Sequence, residues 1–477
     1  MSALLPDSSA PVFQRRRREL AARLGARAAI VFTGSLRARN YPANTYPYRA
    51  DSHFLYLAGA ALPGAALLVH GRHGSTRQEL FVVPNAPDDA LWHGTLPEAD
   101  AIAKATGVDR VRSIDELPRV IVELGGPAGI ATLPSLDPHT RNRQRAMFGR
   151  PWPDDASPRV VDLHEVDLEL ADALIDLRLC HDDHALASIR TAVTGTTAAH
   201  LAGMRVTRPG LHEHDVRAAM ERELLARGMD TAYGSIVTVH GEILHNNSYH
   251  HPLTDGDLLL ADVGGEHQGW ASDVTRTWPV SGKWSATQRA FYDIVLAANE
   301  AAIALVRPGV RYRDVHLRAS VVLARGLVDE GILKGDPESL VERGAHALLF
   351  PHGVGHLLGL DVHDMEDLGD RAGYAAGRTR SGQFGLGYLR LDRDLRPGMV
   401  VTIEPGLYIV PAILDDDALT GPFVRDGSLD RERLQRFADV RGIRVEDDVL
   451  CTPTEPVVLT AAIPKAADEV AAAVGTA

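Results

Sequence analysis

Leu258-Leu259-Leu260-Ala261-Asp262 is followed by Gly264-Gly265-Glu266-His267-Gln268-Gly269 and then, eleven residues after the first acid, by Asp273. An apolar run that ends on a carboxylate and meets a glycine-rich break reads as a short strand entering a hairpin turn. Asp262 and Asp273 can then face one another across that hairpin. A second stretch repeats the arrangement. Met399-Val400-Val401-Thr402-Ile403 ends on Glu404, and Glu446 lies in Gly442-Ile443-Arg444-Val445-Glu446-Asp447-Asp448-Val449, which again reads as a strand. A glycine precedes the first acid of each pair by six positions, Gly256 before Asp262 and Gly398 before Glu404.

The repetition extends upstream. Arg208-Pro209-Gly210 is trailed by Asp215-Val216, and Arg307-Pro308-Gly309 by Asp314-Val315, each between helix-like stretches; the period from Gly210 to Gly309 is 99 residues. Two copies of that length make an internal duplication, since solenoid repeats are far shorter and more numerous. Two helix-helix-hairpin halves facing each other would close over a central site, each contributing acids to it.

Asp262, Asp273, Glu404 and Glu446, joined by His356, form an oxygen-rich ligand set with one imidazole and no thiolate. Such a set suits Mn²⁺, Co²⁺, Zn²⁺ or Fe²⁺ and leans toward Mn²⁺ over structural zinc. Two ions roughly 3.5–4 Å apart could share carboxylates and a bridging water and ionise that water near neutral pH, which is the chemistry of hydrolysis. One strand-end acid alone is more often a solvated turn residue. Four in paired, symmetric positions make coincidence improbable. His356 lies in Pro351-His352-Gly353-Val354-Gly355-His356-Leu357-Leu358-Gly359-Leu360-Asp361-Val362-His363. The glycines argue against the helical H-E-x-x-H motif and for a loop and strand packed closely around imidazoles. A lone histidine is usually structural; three in twelve positions beside this much glycine point to a site.

At these residues the chain resembles a known family. The segments Leu258 to Thr277, Phe350 to Asp364, Val400 to Tyr408 and Gly442 to Asp448 look like the metallopeptidases of the pita-bread fold, specifically proline aminopeptidase (aminopeptidase P). Tyr46 to Gly59 is similar to the amino-terminal domain of the same enzymes. The resemblance implies an α/β N-terminal domain over 1–176 and an α+β pita-bread catalytic domain, with its pseudo-two-fold duplication, over 177–477. It implies two divalent ions per subunit, held by Asp262, Asp273, His356, Glu404 and Glu446, with Asp273 and Glu446 bridging. Glu404 would take the proton from the attacking water, and His245 and His363 would hold the scissile carbonyl and its oxyanion. His352 and Arg444 would line the proline pocket, with Tyr408 behind them either supporting the site residues or relaying a proton. Trp92 matches an aromatic that shapes the pocket, of a neighbouring subunit or its own, in a dimer or tetramer; a buried core tryptophan is the alternative. The implied substrate is a peptide with an Xaa-Pro N-terminus. Prolidase, specific for dipeptides, shares the ligands, while creatinase-like members lose them and methionine aminopeptidase lacks such an N-terminal domain.

The chain departs from the family at Cys180, His181 and His184, where apolar, Lys and Glu residues are expected. Two segments, 366–397 and 413–441, read as long inserts that rim the site mouth. The length of 477 residues allows two or three domains, and 45% hydrophobic with 24% charged residues is ordinary for a globular enzyme. A net charge of −13 argues against nucleic acid, and no apolar stretch approaches the about 20 residues of a membrane span. Arg15-Arg16-Arg17-Arg18 opens an amphipathic helix and reads as its solvated face. With only Cys180 and Cys451 and no pairing signature, a reducing cytoplasm is the expected compartment.

Overall fold

The computed structural model describes residues 4–6, 10–72, 75–152 and 163–476. The chain divides into two units, Met1–Leu179 with Met365–Ala372, and Cys180–Asp364 with Gly373–Ala477.

In the first unit the strands Ala28–Phe32, Ala66–Arg72, Ser75–Val82 and Arg110–Ser113 form one sheet in that order. The first three are antiparallel neighbours and the last runs parallel to the third. Ala28–Phe32 begins and ends where its apolar run does, and Ala66–Arg72 and Ser75–Val82 extend their pairing past their apolar residues. Ile30, Phe32, Leu68 and Phe81 pack with Leu117 and Val120 on one face. The four-arginine run departs from expectation. Arg16 and Arg17 are buried, and only Arg15 and Arg18 face solvent. Arg17 donates to the carbonyls of Leu57, Thr106 and Gly107 at 2.6–2.9 Å, so one planar fork supplies the orphan carbonyls at the ends of helices Ser52–Ala58 and Ala99–Thr106. Arg16 donates to Tyr56 O and lies over the Tyr56 ring. Amphipathic patterning treats arginine as polar, and here the guanidinium donors find acceptors inside, the backbone carbonyls above and, for Arg17 Nε, the Gln78 side-chain oxygen.

The second unit carries the duplication. Helices Asp183–Val206 and Glu213–Leu225 precede the hairpin of Leu258–Asp262 with Thr275–Pro279; helices Ala286–Ile303 and Tyr312–Asp329 precede that of Val400–Ile403 with Asp447–Leu450. The two halves agree in detail. Gly210 and Gly309 both have positive φ (91° and 81°), and each donates its N–H to a leucine carbonyl nine residues before the acid that ends the strand, Leu253 and Leu395. Gly256 and Gly398 turn at φ 91° and 93°, a region that favours glycine. In both hairpins a second, shorter pair of strands continues beyond the first: Gly265–His267 with Trp270–Ala271, and Gly406–Tyr408 with Gly442–Arg444.

The halves differ at the hairpin tips. The first closes through Gln268 and Gly269, both at positive φ as a tight hairpin turn demands. The second spans 409–441, and this segment is not the long loop expected. It folds into the helices Asp417–Arg425 and Arg431–Gln435, and Leu429 pairs with Leu333 while Asp430 N–H donates to Ile332 O. The other insert contains only single turns between 366 and 388, and its stretch Met365–Ala372 belongs to the first unit, where Asp367 meets His53 at 3.1 Å.

Candidate active site

All four acids sit where a hairpin passes from its long strand pair to its short one. Asp262 is the last residue of its strand, opposite Thr275, and Asp273 lies two residues before Thr275, so both fall on one face. Ile403 is opposite Asp447, which makes Glu404 and Glu446 the next pair. The two hairpins are stitched at this level: Glu446 N–H donates to Thr275 O, and Thr275 Oγ1 donates to Glu446 Oε2 at 2.7 Å.

The histidine segment runs as an irregular loop antiparallel to Val400–Ile403 without becoming a regular strand. Its ties are Thr402 N–H to His356 O, Glu404 N–H to Val354 O and Leu358 N–H to Val400 O. Gly355, at φ 153°, permits this approach: a Cβ there would lie 2.2 Å from Thr402 O and 2.4 Å from the Tyr312 hydroxyl. His356 Nδ1 faces Leu357 O at 3.0 Å, so its Nε2 lone pair points at the acids, 3.4 Å from Asp273 and 3.7 Å from Glu404. Ligand atoms of Asp273, His356 and Glu446 all lie within 4.8 Å of one another.

Around this cluster Arg444 donates to Asp262 at 2.7 Å, to Thr275 Oγ1 and to the Tyr408 hydroxyl, which in turn contacts His352 Nε2 at 2.9 Å. Arg444 thus pairs with Asp262, while Asp447 is held by the fully buried Arg276 at 2.8 Å. His363 stacks at a tilt on His356, ring centroids 4.1 Å apart. His245 lies on a loop and keeps solvent contact; partial desolvation first, then the charges of Arg444 and Arg390, lower its pKa. Trp92 lies in the other unit, 70% exposed on the short helix Asp89–Trp92, which excludes the core reading.

Four residues escaped the sequence reading. The Tyr233 hydroxyl sits 2.5 Å from Asp262 Oδ1 and 2.6 Å from Asp273 Oδ1. Asp448 accepts the Asp273 N–H, and Thr275 ties Glu446. Thr275 and Asp448 each lie two residues from an acid, so strand alternation would have found them. Tyr233 and Arg390 carry no local signal.

Electrostatics test whether divalent ions fit. Burial, reinforced by Asp262, pushes Asp273 up to about 8; burial likewise raises Glu404 to about 7 against the pull of His356 and Arg444. Glu446 is driven well above the carboxylate range by burial, then by Asp273 and Glu404. Four carboxyls facing one guanidinium must either hold protons or surround positive ions, and cations reverse the local field. Tyr233 has one hydrogen for two carboxylate oxygens, a second sign of excess acceptors. The donor set is that of a divalent metal centre.

Residues 187–453 match the family model described as metallopeptidase family M24, and 13–131 that of the aminopeptidase P N-terminal domain. The Xaa-Pro aminopeptidase of Escherichia coli (strain K12) is 31% identical over 98% of each chain. The Xaa-Pro dipeptidase of Homo sapiens is 30% identical, over 93% of this chain and 88% of its own. Proline aminopeptidase P II from Yersinia pestis shares the structure at a TM-score of 0.78 and 32% identity, covering 97% of this chain and 98% of that one. The chain belongs to metallopeptidase family M24, with the pita-bread catalytic fold of that family. Its activity is that of a metal-dependent aminopeptidase, a hydrolase acting at the N-terminus of peptides.

Proposed function

We propose that the enzyme releases the N-terminal residue from peptides whose second residue is proline. The observation that carries this is the buried group of four acids and His356 with an Arg444–Tyr408–His352 chain beside it, in a chain similar over nearly its whole length to Xaa-Pro aminopeptidases. In this reading Asp262, Asp273, His356, Glu404 and Glu446 would hold two divalent ions, Mn²⁺ by the hardness of the donor set. When bound, the ions supply Lewis acidity and lower the pKa of water at the site. Glu404, its side chain 16% exposed, accepts the proton of the attacking water and returns it to the leaving nitrogen. His363 and His245 hold the carbonyl oxygen as charge grows on it. His352, braced by Tyr408, and Arg444 bound the proline side of the pocket, and Trp92 extends the pocket from a neighbouring subunit in a dimer or tetramer.

Proline selectivity has a physical reason. The scissile bond is a tertiary amide without N–H, which defeats peptidases that need that donor, and a ring pocket compensates. Division of labour follows the chain, with 1–176 serving assembly and access and 177–477 catalysis. No helix among the described residues is long and apolar enough to cross a membrane. A chain with only two cysteines fits a cytoplasmic site of action, and the charge of −13 disfavours nucleic acid as a partner. The deciding assay compares an Xaa-Pro-Xaa tripeptide with an Xaa-Pro dipeptide and an Xaa-Ala-Xaa control on metal-loaded enzyme. Faster tripeptide cleavage that is lost with alanine is expected. Dipeptides cleaved much faster than tripeptides would make the enzyme a prolidase.

A further inference from the structure

Outside the carboxylate cluster, His212, His214 and Asp215 gather at the start of helix Glu213–Leu225, with ligand atoms within 4.8 Å of one another. His214 Nε2 is 3.7 Å from Asp215 Oδ1, and His212 Nδ1 is 4.0 Å from Oδ2. The two imidazoles stack, centroids 5.2 Å apart and 19° from parallel. These separations are too long for hydrogen bonds. The His214 separation is within a few tenths of an ångström of the roughly 3.4 Å edge of a tetrahedron of ligands about 2.1 Å from an ion.

The orientation of His214 points the same way. Its Nδ1 lies 3.0 Å from Tyr249 O, a pure acceptor, so Nδ1 carries a hydrogen and Nε2 is the nitrogen left facing Asp215. A backbone carbonyl fixing the far ring nitrogen is how metal-binding histidines are oriented. Asp215 Oδ2 accepts the His212 N–H at 2.9 Å, which leaves Oδ1 available. The duplicated half provides an internal contrast. Shifted by the 99-residue period, His212, His214 and Asp215 become Arg311, Arg313 and Asp314, so that half keeps the acid and supplies fixed guanidinium charge, part of it paired with Asp392. The first half has imidazoles in those positions, and they can bind a positive ion where the second half carries its own.

We propose that His212, His214 and Asp215 form a surface site for one divalent transition ion, of the zinc, nickel or copper type that two imidazoles and a carboxylate prefer over manganese or magnesium. Water completes the coordination, because His214 and Asp215 are 60% and 41% exposed. The test loads the full-length enzyme with Mn²⁺, titrates it with Zn²⁺ by calorimetry, and counts zinc and manganese per chain by elemental analysis. One zinc should bind while manganese stays. A His212→Asn, His214→Asn double variant should lose that zinc or bind it at least about tenfold more weakly, with peptide hydrolysis unchanged. Asp215→Asn, which retains a side-chain acceptor for the His212 N–H, should weaken zinc in the same direction. Zinc that enters only as manganese leaves, or zinc bound equally well by the double variant, overturns the proposal.

Discussion

Tyr233→Phe removes one oxygen and leaves the ring in place. In the wild type that hydroxyl stands 2.5 Å and 2.6 Å from Asp262 and Asp273, two of the acids proposed to hold metal, and it has one hydrogen to give. The variant therefore loses one charge-assisted hydrogen bond, worth about 1.5–3 kcal/mol, and leaves a buried carboxylate oxygen less well solvated. At 1.36 kcal/mol per factor of ten, that corresponds to a roughly 10- to 150-fold weaker hold on the metal. The range overlaps the 10- to 100-fold typical of losing an outer partner of a ligand. The phenol also orients the two acids relative to each other, so the loss should appear in the midpoint of a metal titration monitored by activity and by direct binding. The melting temperature of the metal-free protein should move little, because phenylalanine keeps the packing. A variant that folds normally and binds metal within about threefold of wild type would refute the reasoning, since the hydroxyl would then be a spectator.

Glu404→Gln preserves shape and removes the base, so turnover should fall about 10²- to 10⁴-fold with metal content retained; normal turnover would assign the proton to another residue. Asp273→Ala or Glu446→Ala should abolish metal binding and hydrolysis together, measured as metal per chain alongside rate, because each belongs to the proposed ligand set. His363→Ala should cost roughly 10²- to 10³-fold in turnover at unchanged metal stoichiometry, and stoichiometric metal loss would make His363 a ligand instead. Acid should destabilise the fold through buried imidazoles. Burial lowers His346 to about 4, and neither of its ring nitrogens has a hydrogen-bond partner among the described residues. The unfolded chain takes up a proton below about 6.5 while the folded one does not, so stability is complete above that pH and declines toward 4. At pH 5.5 His346 should cost on the order of 1 kcal/mol, and His346→Leu should narrow the gap between urea melts at pH 7.5 and 5.5 accordingly; an unchanged gap refutes it.

What the chain determines on its own is whatever repeats or alternates locally. The positive-φ glycines at 210, 256, 309 and 398, the apolar runs ending on Asp262 and Glu404, and the 99-residue period are properties of short segments, and they carried the two halves and their hairpins. Tertiary structure decided the rest, because it depends on atoms far apart in sequence. Arg444 finds Asp262 across 182 positions, and Arg17 turns inward only because two helix ends from elsewhere offer bare carbonyls. The segment 409–441 becomes helical against partners near Leu333 that no local pattern announces. Tyr233 joins the site for the same reason. A hydroxyl acquires its role from the two carboxylates the fold delivers to it, and a tyrosine 29 residues before Asp262 looks like any other until the sheet closes.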